Sequence, residues 1–173
     1  GEAATAAGIN LKQAEVHGMS QRGGDVQSNL RLSREEIFSD LIPKGKADLI
    51  IAMEPMEALR YVPYLSAEGW IVTSSKPFVN IPDYPREQAL LDELSSYRHC
   101  VKCDIEALAA QNKMPRSANM ILLGMAAPFI PILKADSLKA AVSRIFSPKG
   151  EQVAADNEAA FELGFSLSSK VAK

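Results

Sequence analysis

The run Ala47-Asp48-Leu49-Ile50-Ile51-Ala52-Met53 restricts the fold more than any other part of the chain. It is almost continuously apolar, without the apolar–polar alternation of a half-exposed strand. Such runs suit strands of a parallel sheet covered on both faces. It leads directly into Glu54-Pro55-Met56-Glu57-Ala58-Leu59-Arg60-Tyr61. Pro55 there suits the start of a helix, where its missing N–H costs nothing. Around this unit the periodicity predicts further strands. Ile9–Val16 alternates apolar and polar residues, and Val26–Leu32 does so with Val26, Ser28, Leu30 and Leu32 on one face. Short apolar strands are predicted at Gly69–Thr73 and His99–Asp104.

Helical patterns separate and follow these strands. Glu2–Ala7 is Ala-rich and stops at Gly8, and Glu87–Tyr97 turns Leu90, Leu91 and Leu94 inward. Ile105–Gln111, Ser117–Ala127 and a segment from Asp136 or Ser137 to about Phe146 are the next three. Glu151–Leu163 puts Val153, Ala154, Asn157, Ala160 and Phe161 near one stripe, with Gly164 as its expected stop. Strands separated by helices predict an α/β architecture with a mostly parallel sheet and a helical C-terminal third. No repeat or linker interrupts the chain, so residues 1–173 are expected to form a single domain.

Composition excludes several classes of function. Apolar residues make up 47% and charged residues 23% of the 173, which rules out intrinsic disorder. Lys plus Arg number 19 against 21 Asp plus Glu, and aromatics are 6%. That balance argues against a nucleic-acid binder, which needs cationic contacts and stacking platforms. The longest apolar candidate, Met120–Leu133, is broken by Gly124, Pro128 and Pro131, so it reads as a buried helix and its exit. No membrane span is expected. Gly1-Glu2-Ala3-Ala4 lacks the basic and apolar regions of a secretory leader, and two cysteines are too few for a disulfide scaffold. A cytoplasmic location is the expectation.

Few residues carry recognisable chemistry. Cys100-Val101-Lys102-Cys103 has the spacing of a redox dithiol, but it sits in a strand pattern, where positions three apart point to opposite faces. Neither a metal site nor a catalytic group is expected there, because His17 and His99 supply no second ligand pair. His99 opens a strand and is expected to be packed. The sequence contains no Gly-x-Ser-x-Gly elbow, no Gly-x-Gly-x-x-Gly and no Walker A motif. Glu54 and Pro55 stand at what becomes the carboxyl end of a parallel strand, where open α/β sheets place ligands. Glu57 reads as an acid favourably placed in a first helical turn. The segment His17-Gly18-Met19-Ser20-Gln21-Arg22-Gly23-Gly24 is the most unusual stretch, offering a bidentate guanidinium, a titratable ring and three glycines. It is a candidate loop for a ligand or a partner, with His17, Gly18, Met19, Gln21, Arg22, Gly23 and Gly24 as its working residues.

That segment, with Glu15 and Val16 before it, resembles the signature of the gamma-type domain of the 2-oxoacid:ferredoxin oxidoreductases. The resemblance continues through Leu41-Ile42-Pro43, Ala47-Asp48, Glu54-Pro55, Glu57-Ala58-Leu59-Arg60, Arg116, Ala118-Asn119-Met120 and Leu122-Leu123-Gly124. It implies a Rossmann-like three-layer domain over residues 1–173. In the family a strand and a glycine-rich turn lead into a helix. This sequence opens at what resembles the end of that helix, so both are expected in the biological protein, since a missing central strand leaves its neighbours' backbone groups unpaired. The resemblance further implies a subunit without redox cofactors. A large partner subunit is expected to carry thiamine diphosphate, magnesium and iron–sulfur clusters. The complex is expected to decarboxylate a 2-oxoacid, of the indolepyruvate or arylpyruvate kind, pass electrons to ferredoxin and deliver the acyl group to coenzyme A. Two cysteines cannot supply four-cysteine cluster ligation. The alternative is a stand-alone Rossmann-like module that binds a nucleotide or another small molecule.

Overall fold

The computed structural model describes residues 1–17, 26–79 and 81–171, and only the backbone of Val16, His17 and Val26. Helix α1 (Glu2–Ala6) is followed by Gly8, whose φ of +66° favours glycine, and then by strand β1 (Asn10–His17). Strand β2 (Val26–Ser33) pairs antiparallel with β1, from Asn10 opposite Ser33 to His17 opposite Val26. Then come β3 (Ala47–Ala52), α2 (Pro55–Arg60), β4 (Leu65–Ser74), α3 (Glu87–Ser96) and β5 (Cys100–Cys103). The last three strands form a parallel sheet in the order β3-β4-β5. The C-terminal layer is α4 (Ile105–Gln111), α5 (Ala118–Ala126), α6 (Ala135–Phe146) and α7 (Glu151–Ser168). None of the described helices is long and apolar enough to cross a membrane.

Alternation along β4 explains why the sheet reads as unbroken apolar sequence. Ile71 packs with Ile50, Ala58 and Leu94 on one face. Val72 packs with Ile105, Ile121, Leu122 and Met125 on the other. Both faces are therefore cores, and no polar alternate is needed. A third cluster joins Ala3, Ala4 and Ile9 to Leu138, Val142 and Phe161, which ties the β1–β2 ribbon to α6 and α7.

Four sequence expectations need correction. Gly164 does not stop α7, which runs on to Ser168. A Cβ at Gly164 would lie 1.9 Å from the carbonyl oxygen of Ile121, and one at Gly124 would lie 2.0 Å from that of Phe161. These glycines let α5 and α7 touch backbone to backbone, which is why a residue that usually ends helices sits inside one. Val153, placed on the buried stripe of that helix, is 38% exposed. The apolar face expected for β2 also fails at its middle, where Leu30 is 42% exposed and Asn29 only 4%. The Asn29 Oδ1 accepts the Ile42 N–H at 3.1 Å, so this polar side chain is buried with a partner. Finally, β4 starts four residues earlier than its apolar core, because Leu65 already pairs with Ala47 across a register shift.

Candidate functional site

A cleft of about 600 Å³ lies between β2 and β3 and reaches the carboxyl end of β3. Gln27, Ser28 and Asn29 form one wall, and Leu49 to Met53 form the other. Glu54, Phe78 and Tyr84 stand at the strand end.

Glu54 is built into this end by local chain geometry. Its extended backbone, φ −147° and ψ 133°, makes it the N-cap of α2, and its Oε2 accepts the Glu57 N–H at 2.9 Å. Pro55 follows as the buried first residue of the helix. Oε1 accepts a hydrogen bond from the Tyr84 hydroxyl. The Phe78 N–H donates to the same carboxylate. Burial pushes the Glu54 carboxyl above the ordinary glutamate range, and the backbone N–H groups of Glu57 and Phe78 act against that rise. Glu57 also lines the cleft, but its carboxylate is held by Arg60, with Nε–Oε2 at 3.1 Å.

The other sequence candidates fall elsewhere. Within the 17–24 segment, His17 is the last residue of β1 and only its backbone is described. Gly18, Met19, Gln21, Arg22, Gly23 and Gly24 lie outside the described residues. The cleft residue nearest to them in sequence is Gln27. Cys100 packs against the Ile50–Leu94 core and Cys103 against the Val72–Ile121 core. The two thiols of β5 thus face opposite sides of the sheet, as expected. Both are half-buried and free, and burial raises both of their pKa values. Among the described residues, no group of three or more His, Cys, Asp or Glu side chains could hold a metal ion. His99 is packed, its ring stacked on Trp70 with centroids 4.6 Å apart.

Sequence reasoning missed Asn29, Phe78 and Tyr84. Tyr84 reaches Glu54 across 30 positions, through a segment bearing Pro77, Pro82 and Pro85 that has no periodicity to read. Asn29 is hidden in an alternating strand. Its Nδ2 is buried with no hydrogen-bond partner, although its Oδ1 is satisfied. The described cleft wall contains no His, Cys, Lys or Arg. It offers binding groups and one acid with a raised pKa rather than a nucleophile with its base.

Among the described residues, the fold is an α/β domain with a cleft at the carboxyl end of β3. Residues 1–167 match the family described as pyruvate ferredoxin/flavodoxin oxidoreductase. The chain belongs to that family. The indolepyruvate oxidoreductase subunit IorB of Methanothermobacter thermautotrophicus is 37% identical over 147 residues, 80% of this chain and 74% of the relative. Two solved structures share the fold at lower identity. The gamma subunit of a keto/oxoacid ferredoxin oxidoreductase from Geobacter sulfurreducens aligns with a TM-score of 0.65 and 20% identity, over 98% of this chain and 86% of that one. The 2-oxoglutarate:ferredoxin oxidoreductase of Magnetococcus marinus, solved with 2-oxoglutarate, coenzyme A and succinyl-CoA bound, aligns with a TM-score of 0.70 and 21% identity. That alignment covers 98% of this chain and 27% of the other.

Proposed function

We propose that the chain is a single-domain subunit, without redox cofactors of its own, of a cytoplasmic 2-oxoacid:ferredoxin oxidoreductase acting on an arylpyruvate such as indolepyruvate. The observation that carries this reading is the family match over residues 1–167, joined to the 37% identity with a subunit named for indolepyruvate. The residues present do not fit an iron–sulfur cluster, since the two cysteines pack into different cores. The clusters, and thiamine diphosphate with magnesium, accordingly belong to the large partner subunit. There the oxoacid loses carbon dioxide, two electrons pass to ferredoxin, and the acyl group is transferred to coenzyme A as an arylacetyl thioester. This chain completes the assembly.

The test is co-expression with the large subunit, followed by an assay of ferredoxin reduction with indolepyruvate and coenzyme A. The complex is expected to turn over, and the isolated chain to be colourless and inactive. Turnover by the isolated chain, or failure of the two chains to copurify, overturns the reading. Arg22 is the proposed anchor of the 17–24 segment, because a guanidinium holds a carboxylate or phosphate through two parallel hydrogen bonds. Arg22→Glu is expected to leave the fold intact and weaken assembly or acyl transfer by at least about 2 kcal/mol, roughly thirtyfold. A variant that assembles and turns over like the parent removes that segment from the site.

A further inference from the structure

We infer that Glu54 and Tyr84 form a latch: the Tyr84 hydroxyl, held on the Glu54 carboxylate, fastens the stretch Ile81–Arg86 at the carboxyl end of β3, and its release lets that stretch lift while the rest of the domain stays folded. The hydrogen bond joins residues 30 positions apart. It acts as a latch because so little else holds the stretch. Residues 81–86 contain no helix or strand, and only Tyr84 among them is not exposed. Among the described residues, no other side chain from 81 to 86 makes a hydrogen bond or ion pair. Its main chain is tied only at Arg86, whose carbonyl accepts the Ala89 and Leu90 N–H groups at the start of α3. The flanks are fixed by contrast. Ser74, the last residue of β4, is 1% exposed, and Leu90 and Leu94 anchor α3 in the core. Lys76 and Glu87 form an ion pair between the two flanks, but both side chains are about half exposed and such a pair holds little.

The catch is rigid and already full. The Glu57 N–H holds the Glu54 Oε2 at 2.9 Å against the N-terminus of α2, and the Met56 and Phe78 N–H groups also act on the carboxylate. A carboxylate accepts at about four lone-pair positions, so the Tyr84 hydroxyl takes what remains. Glu54 therefore has no acceptor site to spare for a ligand, and its part at the strand end is to hold or release the stretch above it. A hydrogen bond to an ionised group is among the stronger ones, so a single bond suffices. Pro82 and Pro85 fix the backbone on either side of Tyr84, so the ring and the course of the chain move together. Open α/β sheets meet their ligands at the carboxyl ends of their strands, so a strap fastened there governs access to that end. The latch does not draw on the oxidoreductase-subunit reading, and its test leaves that reading untouched.

The experiment is limited digestion of the full chain with trypsin, timing cleavage after Arg86 by mass spectrometry. Cleavage after Lys149 is the internal control, and both residues are exposed. Proteolysis follows the population of locally opened chain when opening is fast relative to cleavage. Tyr84→Phe removes the hydroxyl and keeps the ring, and Glu54→Gln removes the charge. Each is expected to speed cleavage after Arg86 at least tenfold and leave the rate after Lys149 unchanged. The double variant is expected to match the faster single one, because both substitutions break the same bond. A parental rate after Arg86 in Tyr84→Phe overturns the proposal. Equal acceleration at the two sites also overturns it, since the whole domain then loosens, and so do effects that multiply in the double variant.

Discussion

Replacing Gly164 by alanine tests the crossing of α5 and α7. The new Cβ would stand 1.9 Å from the Ile121 carbonyl oxygen, about 1.5 Å short of the 3.4 Å at which ordinary contact begins. It would also stand 2.8 Å from the Ile121 carbonyl carbon and 2.9 Å from the Met125 nitrogen. All three obstacles are backbone, so no side-chain rotation relieves them and the helices must part. Ile121, Met125 and Phe161 are at most 2% exposed at this seam. A gap of 0.5–1 Å forfeits roughly a quarter to a half of each dispersion contact across it. Overpacking of a core costs about 1–3 kcal/mol, and the rigid obstacle places this site at or beyond the upper end. Alanine returns about 1 kcal/mol through its helix propensity. The expected net loss is about 2–3 kcal/mol, or roughly 4–12 °C in Tm for a chain of this size. Urea titration followed through the emission of Trp70, the single tryptophan, reads it directly. Ser166→Ala on the exposed side of α7 serves as the control, with an effect below about 0.5 kcal/mol. A Gly164→Ala protein as stable as the parent, with an unchanged m-value, would mean that α5 and α7 do not meet at their backbones.

Two further outcomes follow from the titratable groups. Because Glu54 has its carboxyl raised by burial, the folded state binds the proton more tightly than the unfolded chain does, so stability falls as pH rises from the ordinary value of 4.5 through the raised one. Glu54→Gln removes that dependence, and denaturation curves at pH 4 and pH 7 should show the variant gaining on the parent at the higher pH; a constant difference would place the carboxyl in water. Cys100 and Cys103 have thiols raised by burial, so alkylation of the folded chain at pH 7.5 should be at least tenfold slower than in urea. A disulfide linking the two, found by non-reducing peptide mapping, would contradict their placement on opposite faces of β5.

The parts of the fold that alternate or repeat were legible in the sequence. The unbroken apolar run of β3, the helix started at Pro55 and the strand placement of Cys100 and Cys103 all follow from one-dimensional periodicity. The errors arise where a residue answers to a distant neighbour. Gly164 looks like a helix stop in its own segment, and its role is set by Ile121 on another helix. Asn29 sits where alternation puts a polar, outward residue, and its burial depends on Ile42 supplying an N–H. Glu54 was legible as a strand-end acid, while its partner Tyr84 was not, because nothing local in a proline-bearing segment says which side chain turns back. The 17–24 segment was singled out by its composition and by its resemblance to a family signature, and from Gly18 to Gly24 it lies outside the described residues.

The seam between α5 and α7 bears on how this part of the chain can be exchanged. Gly124 and Gly164 each face a carbonyl oxygen of the opposite helix, so a larger residue at either one meets backbone that no repacking of side chains moves. Neither position changes by itself without shifting a helix, and a graft between relatives must therefore carry both helices as one piece.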